Sequence, residues 1–338
     1  YRESNLMHKK MLRVSALVDE HGPNPEARRF LFMGQCNCAY WHGLFGGIYV
    51  GALRHAVYEN LLKAEALVDE RRLEGRPWTV ERMDFDLDGH EEVLVSGRGL
   101  NCVISPRFNA AMFGLEFKPA AFNISNVLSR TPEIYHKDVL ETPADQHDAG
   151  SQPLSIHDIR RGGTEEMKRL LVYELYRKES FITHYLMGPA SVEKILQDNL
   201  IEASATAHAP FVLVSQRDED GILSLAFASD LAGISIEKTY HYDPAGCINV
   251  HHEISPLNES TWVILEWNVF TMGQDPPRVD GQTMENDRGV HRGRQVEVQD
   301  RDRGVVVSLE SDEPWVICVV PIECVSQSEQ GFEKTFQG

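Results

Sequence analysis

The sequence predicts a mainly β chain, an antiparallel β-sandwich preceded by a small α-helical segment. Three observations lead there. Apolar residues repeat at threes and fours only in the first seventy-odd positions. Beyond them come many short apolar or alternating runs, divided by turns and without regular intervening helices, which is the signature of antiparallel packing and not of a parallel α/β sheet. Between the two styles lies Gly75-Arg76-Pro77, a helix-breaking tripeptide that sets the expected division at 1–74 and 78–338.

In order, Ser4 to Asp19 reads as an amphipathic helix, with Leu6, Met7, Met11, Leu12, Val14, Leu17 and Val18 near helical spacing and Lys9, Lys10 and Arg13 on the wet side. His21-Gly22-Pro23-Asn24-Pro25 stops it, and Glu26 to Met33 begins a second helix. Ala52 to Arg72, with Leu53, Val57, Leu61, Ala64 and Val68, is the clearest helix of the chain. Past Trp78, Phe85 to Val95 reads as a hairpin of two short strands around the Asp88-Gly89 turn. Strands are expected over 101–106, 111–117, 166–176, 211–215, 223–227, 234–242, 248–254, 261–270, 304–310 and 315–321, with a helical exception at Ser191 to Asn199. Glu141 to Gly150 and Gln274 to Arg303 read as polar loops.

A chain of 338 residues with a formal charge of −18 is poorly suited to tracking nucleic-acid phosphates or anionic membranes, since both rest on clustered lysine and arginine. No apolar run reaches membrane-span length, and no signal peptide is visible at Tyr1. A start at Tyr1, directly into helix-like sequence, reads as a piece of a longer protein. Cys36, Cys38, Cys102, Cys247, Cys318 and Cys324 are scattered, mostly in strand-like runs, which is no disulfide framework and favours a reducing, cytoplasmic setting. Cys36 and Cys38 would ligate a metal only with partners from elsewhere, so neither a metal nor a cofactor is expected.

One stretch is not generic. Gly34-Gln35-Cys36-Asn37-Cys38-Ala39-Tyr40-Trp41-His42-Gly43-Leu44-Phe45-Gly46-Gly47 combines four glycines with aromatics, an amide and a histidine. That glycine density excludes a helix interior and places the stretch on a loop between helices. Its aromatics either plug the gap between those helices or offer flat faces to a sugar ring. The order of residues resembles the Gln-Cys-Asn-Asp-Ala-Tyr-Trp-His-Gly-Leu-Phe-Gly-Gly motif of glycoside hydrolase family 57, in its 4-α-glucanotransferase and α-amylase branch. The resemblance continues through Arg54, Tyr58-Glu59-Asn60-Leu61 and Ala64-Glu65. It returns at Ser129-Arg130-Thr131-Pro132-Glu133-Ile134-Tyr135-His136 and at Pro321-Ile322-Glu323-Cys324-Val325-Ser326-Gln327-Ser328-Glu329-Gln330-Gly331-Phe332-Glu333. Asn109-Ala110-Ala111 stands where that family more usually turns on Gly-Gly. Cys38 stands where it has a substrate-contacting aspartate, and a neutral thiol cannot accept two sugar hydroxyls as a carboxylate can.

The resemblance implies a galactose-mutarotase-like β-supersandwich and a catalytic (β/α) barrel that would precede Tyr1 and carry the two carboxylates. It also implies an α-glucan substrate touched by Trp41, His42, Asn37 and the Cys38 position, with Trp41 as a stacking wall. No catalytic residue is expected in this chain itself. The expected partners are the barrel and the glucan, with a homodimer as a further contact through the face the barrel would cover. A non-catalytic carbohydrate-binding or assembly module is the alternative. Retaining glycoside transfer needs two carboxylates about 5–5.5 Å apart. Glu133, Glu253, Glu266 and Glu323 are the residues to inspect for such a pair. His251 and Glu253 share a strand face and would serve as a metal-ligating or mutarotase-like dyad, or simply as a solvated face.

Overall fold

Helices come first and strands after them in the computed structural model, which describes all residues except 44–45, 142–162, 188–190, 197–205, 232, 244–245, 257–260, 274, 285–287 and 329–330. Helix α1 spans Arg2–Glu20, α2 Pro25–Met33 and α3 Gly51–Leu73. Asn24 caps α2, its side-chain oxygen accepting the N–H groups of Glu26 and Ala27. Helix α3 packs against α1, α2 and the first sheet, so polar residues such as Arg54, Glu65 and Asp69 are buried along with its apolar ones.

Strands β1 (Trp78–Met83), β2 (Glu92–Gly97), β3 (Leu100–Ser105), β4 (Ala111–Phe117) and β5 (Phe122–Asn123) form one antiparallel sheet in chain order. Strands β7 (Val212–Glu219), β8 (Ile222–Leu231), β9 (Ile234–Tyr242) and β10 (Ile248–Ser255) form a second, and β6 (Ile182–Met187) pairs with β11 (Thr261–Glu266). The two larger sheets share one apolar core, in which Cys102, Ile104, Met112, Leu115 and Phe122 join Leu225, Phe227, Ile236, Tyr240 and Tyr242. Further along, β12 (Arg278–Val279), β13 (Gln282–Thr283), β14 (Gly289–Asp300) and β15 (Val305–Val319) make a third sheet, and β16 (Glu323–Ser328) with β17 (Gly331–Phe336) a hairpin. The chain is thus mainly β behind a helical segment, as expected. Short helices α4 (His136–Glu141), α5 (Glu165–Arg169) and α6 (Val192–Leu196) interrupt the strands.

Four expectations need correction. Phe85 to Asp88 is not a strand. The hairpin pairs β1 with β2, from Trp78↔Gly97 to Met83↔Glu92, and residues 84–91 are its loop. Alternating Asp and apolar residues imitate a strand there, but the Asp84 carboxylate accepts the N–H groups of Asp88 and Gly89 and turns the chain back. The strand expected at 166–176 begins instead as α5, because Thr164 caps it by accepting Met167 N–H, with acids in the first turn and bases in the last. The polar stretch 274–303 holds β12 to β14, whose polar residues face water on one side of an antiparallel sheet. Finally, 304–310 and 315–321 are one strand, β15, whose register against β14 slips between Gly293 and Gln295. The helix expected at 191–199 is α6; its last three positions, and nearly all of the 141–150 loop, lie outside the described residues.

The helical segment meets the first sheet through charge as well as oil. Lys10 Nζ lies 2.5 Å from Glu65 Oε2 and 2.7 Å from Glu116 Oε2, and Asn101 donates to the same two oxygens. Arg72 reaches Glu65 at 3.1 Å and Asp69 at 3.0 Å, and Lys118 reaches Asp69 at 2.6 Å. All of these side chains are buried, so three cations neutralise three carboxylates out of water. Burial pushes the Glu65 pKa up, but Lys10, Lys118 and Arg72 outweigh it and hold the group well below its ordinary range.

Candidate functional site

The glycine-aromatic loop is built from two 3-10 turns, Asn37–Tyr40 and Gly47–Tyr49, with an extended Trp41 following the first. Ile48 N–H donates to Trp41 O at 3.0 Å and folds the loop on itself. Gly47, at φ +51°, has no alternative: a Cβ there would stand 2.1 Å from that same carbonyl oxygen. Gly43 lies beneath the Trp41 ring, where a Cβ would meet Cζ3 at 2.7 Å. The indole is therefore backed on one side by bare backbone and is 55% exposed. Asn37 and Cys38 are exposed beside it, with Cys38 Sγ 3.6 Å from Asn37 Oδ1.

Tertiary folding then gathers residues that lie far away in sequence. His42 stacks on Tyr135 at 5.3 Å between ring centroids and meets Tyr49 edge-on at 4.9 Å. Glu133 accepts hydrogen bonds from Tyr49 OH at 2.8 Å and Tyr1 OH at 2.7 Å. His136 Nδ1 accepts Glu133 N–H at 3.1 Å, so its proton belongs on Nε2, which faces Val325 O at 3.3 Å. Tyr135 OH donates to the same carbonyl at 3.1 Å, and Phe332 stacks on the Tyr135 ring. Gln337 Nε2 donates to Tyr49 O at 3.0 Å. Arg54, fully buried, ties Ile48 O to the main chain and side chain of Asn126.

Three of the sequence stretches that carry the resemblance thus converge on one surface. Burial lowers the pKa of His42 against the pull of Glu133, so its ring is neutral near pH 7. His42 Nε2 is buried without a hydrogen-bond partner among the described residues. Close by, Trp41 and Ile134 are exposed, the latter at 91%. The arrangement offers a flat aromatic face, a neutral imidazole and a carboxylate, a set that suits a neutral polyhydroxylated ligand better than an ion. Trp41, His42, Asn37 and Cys38 all lie on this one loop. Tyr135 lies in the 129–136 stretch that carries the resemblance, whereas Tyr49, 84 positions from Glu133, has no signal in the sequence.

The other carboxylates each have their own partners. Glu253 and His251 are 64–71% exposed in their side chains and 3.5 Å apart, which is a solvated strand face. Glu323 pairs with Lys334 at 3.1 Å. Glu266 lines a cleft of about 700 Å³ together with Trp262, Trp267 and Trp315. Its carboxylate accepts from Tyr176, Lys178, His184 and Asn268 at 2.7–2.9 Å. Burial raises its pKa, but Lys178 and His184 more than reverse that and hold it well below the carboxylate range. A carboxylate so saturated is a poor proton acceptor, which argues against a mutarotase-like dyad of Glu266 and His184. All six cysteines are free thiols, and the metal-ligating groups found among the described residues do not include Cys36 or Cys38.

The family described as alpha-amylase/4-alpha-glucanotransferase, C-terminal, matches residues 84–338, and the corresponding middle-domain family matches residues 1–68. The chain belongs to the alpha-amylase/4-alpha-glucanotransferase family. It is 30% identical to Alpha-amylase 1 of Dictyoglomus thermophilum, with 100% of this chain and 49% of that relative covered. It is 29% identical to the 4-alpha-glucanotransferase of Thermococcus kodakarensis, with 100% and 48% covered. The crystal structure of the 4-alpha-glucanotransferase of Thermococcus litoralis superposes with a TM-score of 0.75 at 25% identity, covering 100% of this chain and 48% of that one. The chain spans about half the length of the curated relatives it matches. No described helix is long and apolar enough to cross a membrane.

Proposed function

We propose that this chain is the C-terminal part of an α-glucan-acting hydrolase or 4-α-glucanotransferase of the cytoplasm. It supplies one wall of a glucan cleft and braces a catalytic barrel that carries both reacting carboxylates. The observation that carries this reading is the convergence of the Trp41 loop, the Glu133–His136 segment and the terminal hairpin on one surface, with Trp41 half exposed and His42 Nε2 without a partner among the described residues. In this reading Trp41 stacks on a glucose ring, Asn37 and His42 hydrogen-bond its hydroxyls, and Glu133 holds Tyr49 and Tyr1 in place. The helical segment 1–74 frames the cleft, and residues 78–338 form a galactose-mutarotase-like supersandwich.

Two measurements test it. Maltoheptaose incubated with the chain as it stands yields no new oligosaccharides; longer and shorter products would sink the division of labour. Retardation in an amylose-containing gel falls about fivefold in affinity on Trp41→Ala, the range expected for loss of one aromatic contact. Unchanged retardation would remove Trp41 from the sugar site. The tryptophan-lined cleft beside Glu266 favours a second reading, a non-catalytic carbohydrate-binding module. Retardation that survives Trp41→Ala but is lost in Trp262→Ala would select it.

A further inference from the structure

The loop between β1 and β2 reads Asp84-Phe85-Asp86-Leu87-Asp88-Gly89-His90-Glu91, with Glu92 opening β2. Acids at the first, third and fifth positions and glycine at the sixth are the opening of a calcium loop of the EF-hand kind. There the carboxylates supply oxygen ligands and glycine makes the sharp turn. Gly89 has φ +93°, as that turn requires. Oxygens of Asp84, Asp86 and Asp88 lie within 4.8 Å of one another. That spacing lets all three reach one ion at about 2.3–2.6 Å.

Acidic clusters on surfaces are common, and a second observation sets this one apart. The Asp86 side chain is only 9% exposed, and its Oδ1 has no hydrogen-bond partner among the described residues. A buried carboxylate oxygen left without a partner is strongly disfavoured unless a cation meets it. Asp86 Oδ2 does meet Arg177 at 3.2 Å, but that guanidinium is shared with Glu179 at 2.6 Å. Glu92, 1% exposed, brings a further buried carboxylate to the loop, its Oε2 accepting Phe85 N–H at 2.9 Å. Glu91 is paired with Arg82 instead. The cation beside Asp86 is therefore divided, while Asp84, Asp88 and Glu92 accept N–H and hydroxyl groups among the described residues.

We propose that residues 84–92 bind one divalent cation of the calcium class through Asp84, Asp86 and Asp88, with Glu92 behind them. The twelfth position of an EF-hand loop, where a bidentate glutamate normally sits, is Val95 here, buried on β2. The site is a strand–loop–strand variant that keeps water on its exposed side, and its affinity is lower than that of a full EF-hand. Calcium suits it better than magnesium, which needs near-ideal octahedral geometry and dehydrates reluctantly. The ion would also fasten the helical segment: Asp86 O accepts from Asn5 of α1 at 2.7 Å, and Phe85 packs with Leu6 of α1, Leu94 and Phe113.

The test is a thermal melt of the EDTA-stripped chain in EDTA, millimolar magnesium or millimolar calcium, beside calorimetric titration with calcium chloride. The variant is Asp88→Asn, whose exposed side chain keeps an oxygen for His90 N–H. Calcium is expected to bind at one site and raise the midpoint by about 3–5 °C, more than magnesium does. Asp88→Asn should bind calcium at least about tenfold more weakly. No heat and no shift in the unmodified chain would overturn the proposal. So would an equal shift in Asp88→Asn, which would mean general screening of a chain carrying −18.

Discussion

The helical segment has two faces that treat polar groups in opposite ways. Against the first sheet, Lys10, Glu65, Asp69, Arg72, Asn101, Glu116 and Lys118 are sealed from water and neutralise one another. On the loop between α2 and α3, Trp41 is half exposed, Asn37 and Cys38 are open, and His42 Nε2 has no described partner. The same short segment thus contains an interface closed by paired charges and a loop surface left open to solvent. A balanced buried network specifies one packing, since shifting any member strands a charge. An exposed aromatic over bare backbone specifies nothing until something lies on it.

If that contrast is right, changes on the sealed face act on stability and changes on the open loop act on binding. The largest effect belongs to Lys10→Met. It leaves Glu65 and Glu116 facing each other without their shared cation, and we expect a loss of about 3–5 kcal/mol in denaturant unfolding. A loss below about 1 kcal/mol would show that the network is not sealed.

Next comes pH. His55 on α3, nearly fully buried beside Phe122, has its pKa pushed down to about 4 by burial, with Arg303 adding to the effect. The folded state favours the neutral ring, so no penalty exists above about pH 6.5. It grows as pH falls below that value and is complete near pH 4, at about 3 kcal/mol. Stability measured across that window should show the slope, and His55→Asn should lose it.

Trp41→Ala, by contrast, should leave the unfolding midpoint within about 1 °C while weakening glucan retention, because its ring is 55% exposed and lies against Gly43. A large drop in the midpoint would mean that the indole is a structural plug. The smallest effect is expected from Cys38→Asp. It restores a hydrogen-bond acceptor at an exposed position and should tighten maltooligosaccharide binding about twofold to fivefold without changing stability.

Much of this was legible in the residues, for reasons that can be traced. Helices α1 to α3 announce themselves because each buries an apolar stripe against a neighbour. The strands around Leu223 to Tyr242 do so because both flanking sheets bury their inner faces. Strand β14 was hidden because half of its residues face water and read as loop. The aspartates of 84–88 read as a strand because alternation alone cannot distinguish a pleat from a loop turned by aspartate side chains. The Trp41 loop stood out because so many glycines and aromatics rarely share fourteen residues without a reason. Its companions Glu133, Tyr135 and Val325 lie in other stretches that carry the resemblance, but nothing in the residue order joins those stretches to the loop. Only tertiary contact brings them there, and no local spacing reports a contact across 84 or 190 positions.

The bond from Gln337 to the carbonyl of Tyr49 spans 288 positions. It sets an order of assembly. The helices and the Trp41 loop precede the sandwich in the chain, yet Tyr49 waits for a donor made 288 positions later, and Tyr135 for a carbonyl made 190 positions later. The Trp41 loop is therefore locked only after the sandwich behind it has been made. A product that stops anywhere in the sandwich would carry the aromatic surface without the clasp that holds it.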